Sequence, residues 1–269
     1  MAGCTDGKQA RLEALRRQIA RAQSFSARSD EQVPLGIAEV DACLNSGLLR
    51  GALHEVAAAD HRSIPAAIGF LLALVSRISL APLGGEGRGE GEFSGNGHRG
   101  NSRVLLWPMA KAGHPFGLPY APGLRFFGLD PARILFVRCA TERECLWAME
   151  EGLRLGGIAA VIGARGKAMD LTASRRLQLA AEQTAIPVLV LRAHNDRAQS
   201  AAVTRWRVSP APSARDEFGF FASARWRVAL DYARGGKTGE WVMEWNHDAV
   251  SLRLSAGMGD RAAGEDRAA

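Results

Sequence analysis

Apolar positions along the chain fall into short runs, separated by glycine-rich or polar punctuation, and the runs alternate between strand-like and helix-like spacing. Residues 53–57 read as a buried strand. A helix is predicted over 63–79, with Ile64, Ile68, Leu71, Leu72, Val75 and Ile78 on its buried stripe. Ser63 is the expected N-cap, and Pro65 is tolerated in the first turn. A break follows at 82–102, with eight glycines between Gly84 and Gly100, and it reads as a flexible insertion. Strands are then predicted at 104–107, 134–138, 158–162 and 186–191. The last is a continuous apolar run, as in a covered parallel sheet, with Pro187 near its start. Thr141 and Glu144 have the spacing of a capping box, opening a helix with Leu146, Met149 and Leu153 on one side; Gly156 or Gly157 ends it. Asp170 can cap a second helix that points Ala173, Leu177, Ala180 and Ala181 inward.

After about residue 198 only strands are predicted, at 201–208, 224–230, 240–245 and 250–254. The expected fold is α/β, with a mostly parallel central sheet and a C-terminal antiparallel β extension. Residues 33–254 form its single domain. A basic amphipathic helix over 8–28 precedes it within residues 1–32, with Leu12, Leu15, Ile19 and Ala22 on one face. A small-residue, charged tail, 255–269, follows and reads as disordered.

Composition narrows the function classes modestly. No apolar run is read as a membrane span, and residues 1–8 lack a signal-peptide core, so a cytoplasmic location is expected. Cys4, Cys43, Cys139 and Cys145 form no CxxC pair, so neither a structural zinc nor another metal or cofactor is expected. The net charge of +6 permits nucleic-acid contact, but the cations are mainly arginine, a bias that a GC-rich genome also produces.

Residues 35–41 (Leu-Gly-Ile-Ala-Glu-Val-Asp) and 47–56 (Gly-Leu-Leu-Arg-Gly-Ala-Leu-His-Glu-Val) are similar to the start of a RecA-type ATPase domain. Together with 128–133, 146–151, 170–180, the two Arg-Trp-Arg-Val segments and the hairpin to Trp245, they make the chain resemble the ImuA family of inducible mutagenesis proteins. That family is RecA-like and is sometimes grouped with SulA-type cell-division inhibitors. The resemblance covers roughly residues 8–254 apart from the glycine-rich insertion, and it implies a RecA-like, P-loop-type core. It also implies a role in SOS-induced, error-prone translesion DNA synthesis, at the nucleoid upon DNA damage. The implied partners are an ImuB-type Y-family polymerase-like protein and an error-prone DnaE-type polymerase subunit, with RecA and single-stranded DNA as further candidates.

The residues themselves argue against nucleotide chemistry. A phosphate-binding loop would read G-x-x-x-x-G-K-[ST] between the first strand and helix. Here the window 58–65 reads Ala-Ala-Asp-His-Arg-Ser-Ile-Pro. Ala58 and Ser63 replace the two glycines, Ile64 the lysine and Pro65 the hydroxyl. Isoleucine cannot neutralise phosphate, and proline has neither hydroxyl nor N–H. The metal-positioning acid would follow the 158–162 strand, where Gly163, Ala164 and Arg165 stand instead. The expectation is a pseudo-ATPase with no catalytic residues. A SulA-like division inhibitor and a weak ATP-binding protein remain open alternatives. The Gly-Lys-Thr at 236–238 precedes a strand rather than a helix, so it reads as a hairpin turn.

The duplicated Arg-Trp-Arg-Val places Trp206 and Trp226 on one sheet face and Arg205, Arg207, Arg225 and Arg227 on the other. These arginines, with Lys237 and Arg234 nearby, are candidate nucleic-acid-binding residues or simply a solvated face. Arg16 and Arg17 on the N-terminal helix and the Arg175–Arg176 pair are candidate partner-binding residues. His54 and Glu55 do not fit a zinc helix, because they fall on a strand.

Overall fold

The computed structural model describes residues 31–80, 103–110, 117, 119–166, 168–213 and 223–255. The expected N-terminal helix, the glycine-rich insertion and the C-terminal tail lie outside the described residues, apart from a few at their margins. Strand β1 (Gln32–Val33) pairs antiparallel with β2 (Leu48–Leu49), and helix α1 (Ala38–Cys43) lies between them in sequence. The Asp41 carboxylate accepts the N–H groups of Leu35, Gly36 and Ile37 at 2.7, 3.0 and 3.2 Å. That explains why this stretch ends in an aspartate: it satisfies three donors that precede the first helical turn.

Among the described residues nine further strands make one sheet. They are β3 (Leu53–Ala58), β4 (Val104–Ala110), β5 (Ile134–Cys139), β6 (Ile158–Ala164), β7 (Val188–Arg192), β8 (Thr204–Pro210), β9 (Arg225–Ala233), β10 (Gly239–Asn246) and β11 (Ser251–Leu254). Their order is β11-β10-β9-β8-β3-β7-β6-β4-β5. From β8 to β5 all neighbours are parallel, and β9, β10 and β11 continue the sheet antiparallel. The layout is the mostly parallel α/β sheet that was expected, and it fits a RecA-like core. One boundary moves: β8 is the junction strand, parallel to β3 on one side and antiparallel to β9 on the other.

Helix α2 (Ile64–Leu80) covers one face and reaches from β6 across to β11. It is apolar on nearly all sides, with Phe70, Leu71, Ala73, Leu74 and Val75 all buried, as expected of a helix enclosed by other layers. In length and hydropathy the stretch His61–Ser79 does reach the range of a membrane span, contrary to the sequence reading, but here it is a core helix. Helices α4 (Glu142–Arg154) and α5 (Leu171–Thr184) cover the opposite face, α4 on β4 and β6 and α5 on β3 and β7.

Capping follows the sequence. Thr141 Oγ1 accepts the Glu144 N–H at 3.2 Å, and the Glu144 carboxylate answers by accepting the Ala140 N–H at 2.9 Å. Asp170 accepts the Ala173 N–H at 2.6 Å.

Around the antiparallel extension the α2 face is aromatic. Phe70 meets Trp206 and Trp226 with ring centroids 5.5 and 5.9 Å apart, and Phe127 of the segment after α3 (Ala121–Phe126) meets Trp245 at 5.4 Å. Gly69 lets Trp226 approach, since a Cβ there would lie 3.2 Å from the indole. Two of the buried indoles have their N–H groups satisfied, Trp206 by Thr204 Oγ1 and Trp245 by the Phe126 carbonyl, both at 2.9 Å.

Candidate functional site

In doubly wound sheets a ligand binds beyond the carboxyl ends of the strands, where the chain changes direction across the sheet. In this fold that place lies between β3 and β7, because the chain leaves β3 toward β4 and later returns to β8 on the other side. The segment joining β3 to α2 is a 3-10 turn, His61–Ser63, opened by Asp60 in an extended conformation. Asp60 Oδ1 accepts both the Ser63 N–H and the Ser63 hydroxyl, each at 2.8 Å. These hydrogen bonds from Ser63 pull the Asp60 carboxyl below its ordinary range.

Ser63 is therefore a donor and not the N-cap. The cap moves three residues upstream, because the 3-10 turn leads directly into α2 and Asp60 is the residue free to fold back. Where a phosphate would meet the N–H groups of a helix start, a protein carboxylate already bonds them. Ile64 is half-buried and Pro65 exposed at the second position of α2. The loop after β7 closes against this turn, with the rings of His194 and His61 edge to face at 5.9 Å.

The strand expected to deliver a metal-positioning acid is β6, and it runs on through Gly163 to Ala164. Next comes Arg165, which pairs with Glu142 at 3.2 Å, while Glu142 also accepts the Gly166 N–H at 2.8 Å. The nearest downstream acid, Asp170, is engaged as the α5 cap.

Between β3, β7 and β8, on the α4–α5 side, lies a buried polar network. Glu55, 1 % exposed, receives Arg192 Nη1 at 2.9 Å and the Ser200 hydroxyl at 2.6 Å. Arg192 also reaches Asp196 at 2.9 Å and donates to the backbone carbonyls of Asp196 and Ala198 at 3.3 and 3.1 Å. Arg205 approaches Glu55 at 3.7 Å. Burial raises the Glu55 carboxyl although Arg192 and Ser200 hold it down. For Arg192 burial is outweighed by Asp196 and Glu55, and its pKa rises. On the other face of β3, His54 bridges Thr204 Oγ1 at 2.9 Å and the Leu49 carbonyl at 2.8 Å, and burial lowers its pKa to about 4.

The four arginines of the repeated motif do share the sheet face opposite the tryptophans, as expected. Register places Arg207 opposite Ala229 and Ser209 opposite Arg227, so the side chains stand on neighbouring strands. Each is met by a carboxylate. Arg207 pairs with Asp231, Arg225 with Glu244 at 2.7 Å and Arg227 with Glu240 at 3.8 Å. Arg205 lies over the Tyr232 ring at 5.5 Å, and Arg253 joins Glu244 at 2.6 Å. Arg234 pairs with Glu182 at 3.5 Å. Lys237 is exposed in the β9–β10 hairpin turn, at the far end of β9 from Arg225, and its backbone N–H donates to the Cys43 carbonyl at 3.0 Å. Arg175 and Arg176 are exposed on α5, with Arg176 paired to Glu150. Arg16 and Arg17 fall outside the described residues.

Comparison with known proteins finds Protein ImuA of Caulobacter vibrioides, in two strains, 39% identical over 156 residues. The chain is similar to ImuA over that stretch. The match takes in 52% of this chain, which spans about 63% of the length of those ImuA relatives. No family model matches the chain.

Beside the ImuA likeness, the Glu55–Arg192–Asp196 network was missed. The signal was present: a glutamate inside an apolar strand demands a buried cation, and Arg192 ends another apolar strand. Sequence alone does not pair the two, because they lie on separate strands brought together only by the sheet order.

Proposed function

We propose that the chain is a non-catalytic, RecA-like accessory protein in SOS-induced, error-prone translesion DNA synthesis. It acts through contacts with other proteins, an ImuB-type polymerase-like protein and a DnaE-type polymerase subunit first among them. The relationship to ImuA supports the pathway. The observation that carries the pseudo-ATPase reading is the Asp60 carboxylate bonded to both Ser63 donors. A triphosphate brought to that turn would meet negative charge and find no lysine to balance it.

The arginine face fits protein partners better than naked nucleic acid. Phosphates would have to displace Asp231, Glu240 and Glu244 from their arginines. A protein interface that packs around these pairs and leaves them in place meets no such penalty, and RecA is a further candidate partner.

Purified full-length chain should give no ATP hydrolysis, with or without single-stranded DNA, and no binding heat with Mg-ATP. DNA-stimulated turnover abolished by substitutions within 58–65 would reverse the reading. Pull-down from damaged cells should recover the polymerase-like partner. Recovery of the division tubulin in its place would favour a SulA-like inhibitor.

A further inference from the structure

Helices α4 and α5 lie side by side on the sheet face opposite α2, and their outward sides carry side chains that the fold does not use. Trp147 on α4 is 64 % exposed and Leu179 on α5 is 48 % exposed, although Met149, Leu153 and Leu177 already fill the inward positions. Outward helix positions ordinarily take polar residues. Each exposed apolar residue has an arginine one turn upstream: Arg143 is four residues before Trp147, and Arg175 four before Leu179. One ion pair joins the helices between them. Glu150, three residues after Trp147, pairs with Arg176, three residues before Leu179. Trp147, the Glu150–Arg176 bridge and Leu179 therefore form one strip across both helices. Its charges do not cancel. Glu144 is turned back to accept the Ala140 N–H at 2.9 Å, Glu151 pairs with Arg154, and Glu150 is committed to Arg176. Arg143 and Arg175 are exposed and have no carboxylate partner among the described residues.

We propose that this strip is a docking site for an acidic, amphipathic helical segment of another protein. The apolar side of the segment covers Trp147 and Leu179, and its carboxylates pair with Arg143 and Arg175. Tryptophan and arginine are the side chains that most often dominate the energy of protein interfaces. Covering an exposed indole favours the complex, because it removes apolar surface from water. Two unmatched cations are a poor footprint for nucleic acid, whose binding accumulates over many phosphate contacts. The chain's own residues 8–28 hold six basic residues against one acidic, so like charge opposes their docking here. A second copy meeting the strip with its own strip would set arginine against arginine. The proposal rests on the reading that the chain works through protein contacts, and it adds a place and a chemistry to that reading.

The test uses the full chain and a synthetic peptide of about 18 residues, free of tryptophan and tyrosine, with leucines at helical spacing and glutamates beside them. Acrylamide quenching of fluorescence reads Trp147, because Trp107, Trp206, Trp226 and Trp245 are buried and Trp241 is half-buried. The expected result is that the peptide removes most of the readily quenched component, whereas the same peptide with lysines for glutamates does not. Trp147→Phe should abolish that component in the free protein. Trp147→Ser, and Arg143→Glu combined with Arg175→Glu, should each weaken binding of the labelled peptide about tenfold or more, with an unchanged far-ultraviolet circular dichroism spectrum. The proposal is overturned if the peptide leaves quenching unchanged, or if the charge-reversed variant binds it as tightly as the parent. Protection by a single-stranded oligonucleotide but not by the peptide overturns it too. So does an indole already shielded in the free chain, by its own segment if at every concentration or by a second copy if only at high concentration. Equal recovery of the polymerase-like protein from damaged cells by the parent and by Trp147→Ser would sink the strip and leave the pathway reading standing.

Discussion

Arg192 Nη1 lies 2.9 Å from the Glu55 carboxylate, on neighbouring strands, and both side chains are almost completely removed from solvent. The contact anchors the connection from β7 to β8, because the same guanidinium holds Asp196 and two backbone carbonyls of that loop. Removing one partner of a buried pair strands the other charge, at a cost of about 3–5 kcal/mol. Arg192→Ala and Glu55→Gln should each lower stability on that scale in urea unfolding. The triple variant Glu55→Leu, Arg192→Met and Asp196→Asn should recover most of it, since both carboxylates that Arg192 pairs are then removed together with it. A single-variant loss below about 1 kcal/mol would contradict the role given to the network.

Asp60 should behave as a helix cap and not as a ligand group. Asp60→Ala removes the carboxylate that accepts the Ser63 N–H and hydroxyl, leaving the N–H only the backbone carbonyl of residue 60 at 3.2 Å. The expected outcome is a lower urea midpoint with an unchanged slope, and a smaller drop for Asp60→Asn. Neither variant should acquire ATP binding by calorimetry, because Ile64 still stands where a lysine is needed.

Stability should fall in two stages on acidification. His54 is held neutral by burial, with a pKa of about 4 against an ordinary 6.5. Between those values the unfolded chain binds a proton that the native state refuses, so stability is full above 6.5 and is lost on the way down to about 4. Burial alone would raise the Glu244 carboxyl, but Arg253 and Arg225 outweigh it and hold it at about 2 against 4.5. Its contribution is full above 4.5 and is lost between there and 2. Glu55, raised by burial, takes up its proton above 4.5 while the unfolded chain is still ionised, so it works in the opposite direction and partly offsets the first stage. Urea midpoints measured from neutral pH down to pH 3 check this, and His54→Gln should flatten the first stage.

Gly152→Ala inverts the usual helix rule. In an open helix interior, alanine is favoured over glycine by about 1 kcal/mol. On α4 the added Cβ would sit 2.0 Å from Leu106 Cδ2, with Val161 also adjacent. Leu106 is buried and has nowhere to retreat, so overpacking at about 1–3 kcal/mol should win. Thermal unfolding should show a lower Tm, and the paired change Leu106→Val should restore part of the loss.

Local chemistry decided much of what could be read in advance. Asp170, Thr141 and Glu144 act on donors within four residues, so their capping needs no knowledge of the rest of the chain. The alternation in both Arg-Trp-Arg-Val segments likewise placed the tryptophans inward, because a strand's two faces are set by its own period. The absence of the loop lysine was legible for the same reason: it is a statement about one window. What required the folded molecule was every relationship between distant strands. The sheet order set β3 between β7 and β8 and so joined Glu55 to Arg192 and His54 to Thr204, while the antiparallel register gave Arg225 and Arg227 their carboxylates. Such pairings depend on which elements become neighbours, and burial makes that choice over the whole chain at once, whereas a cap or a strand face is settled within a single turn or pleat.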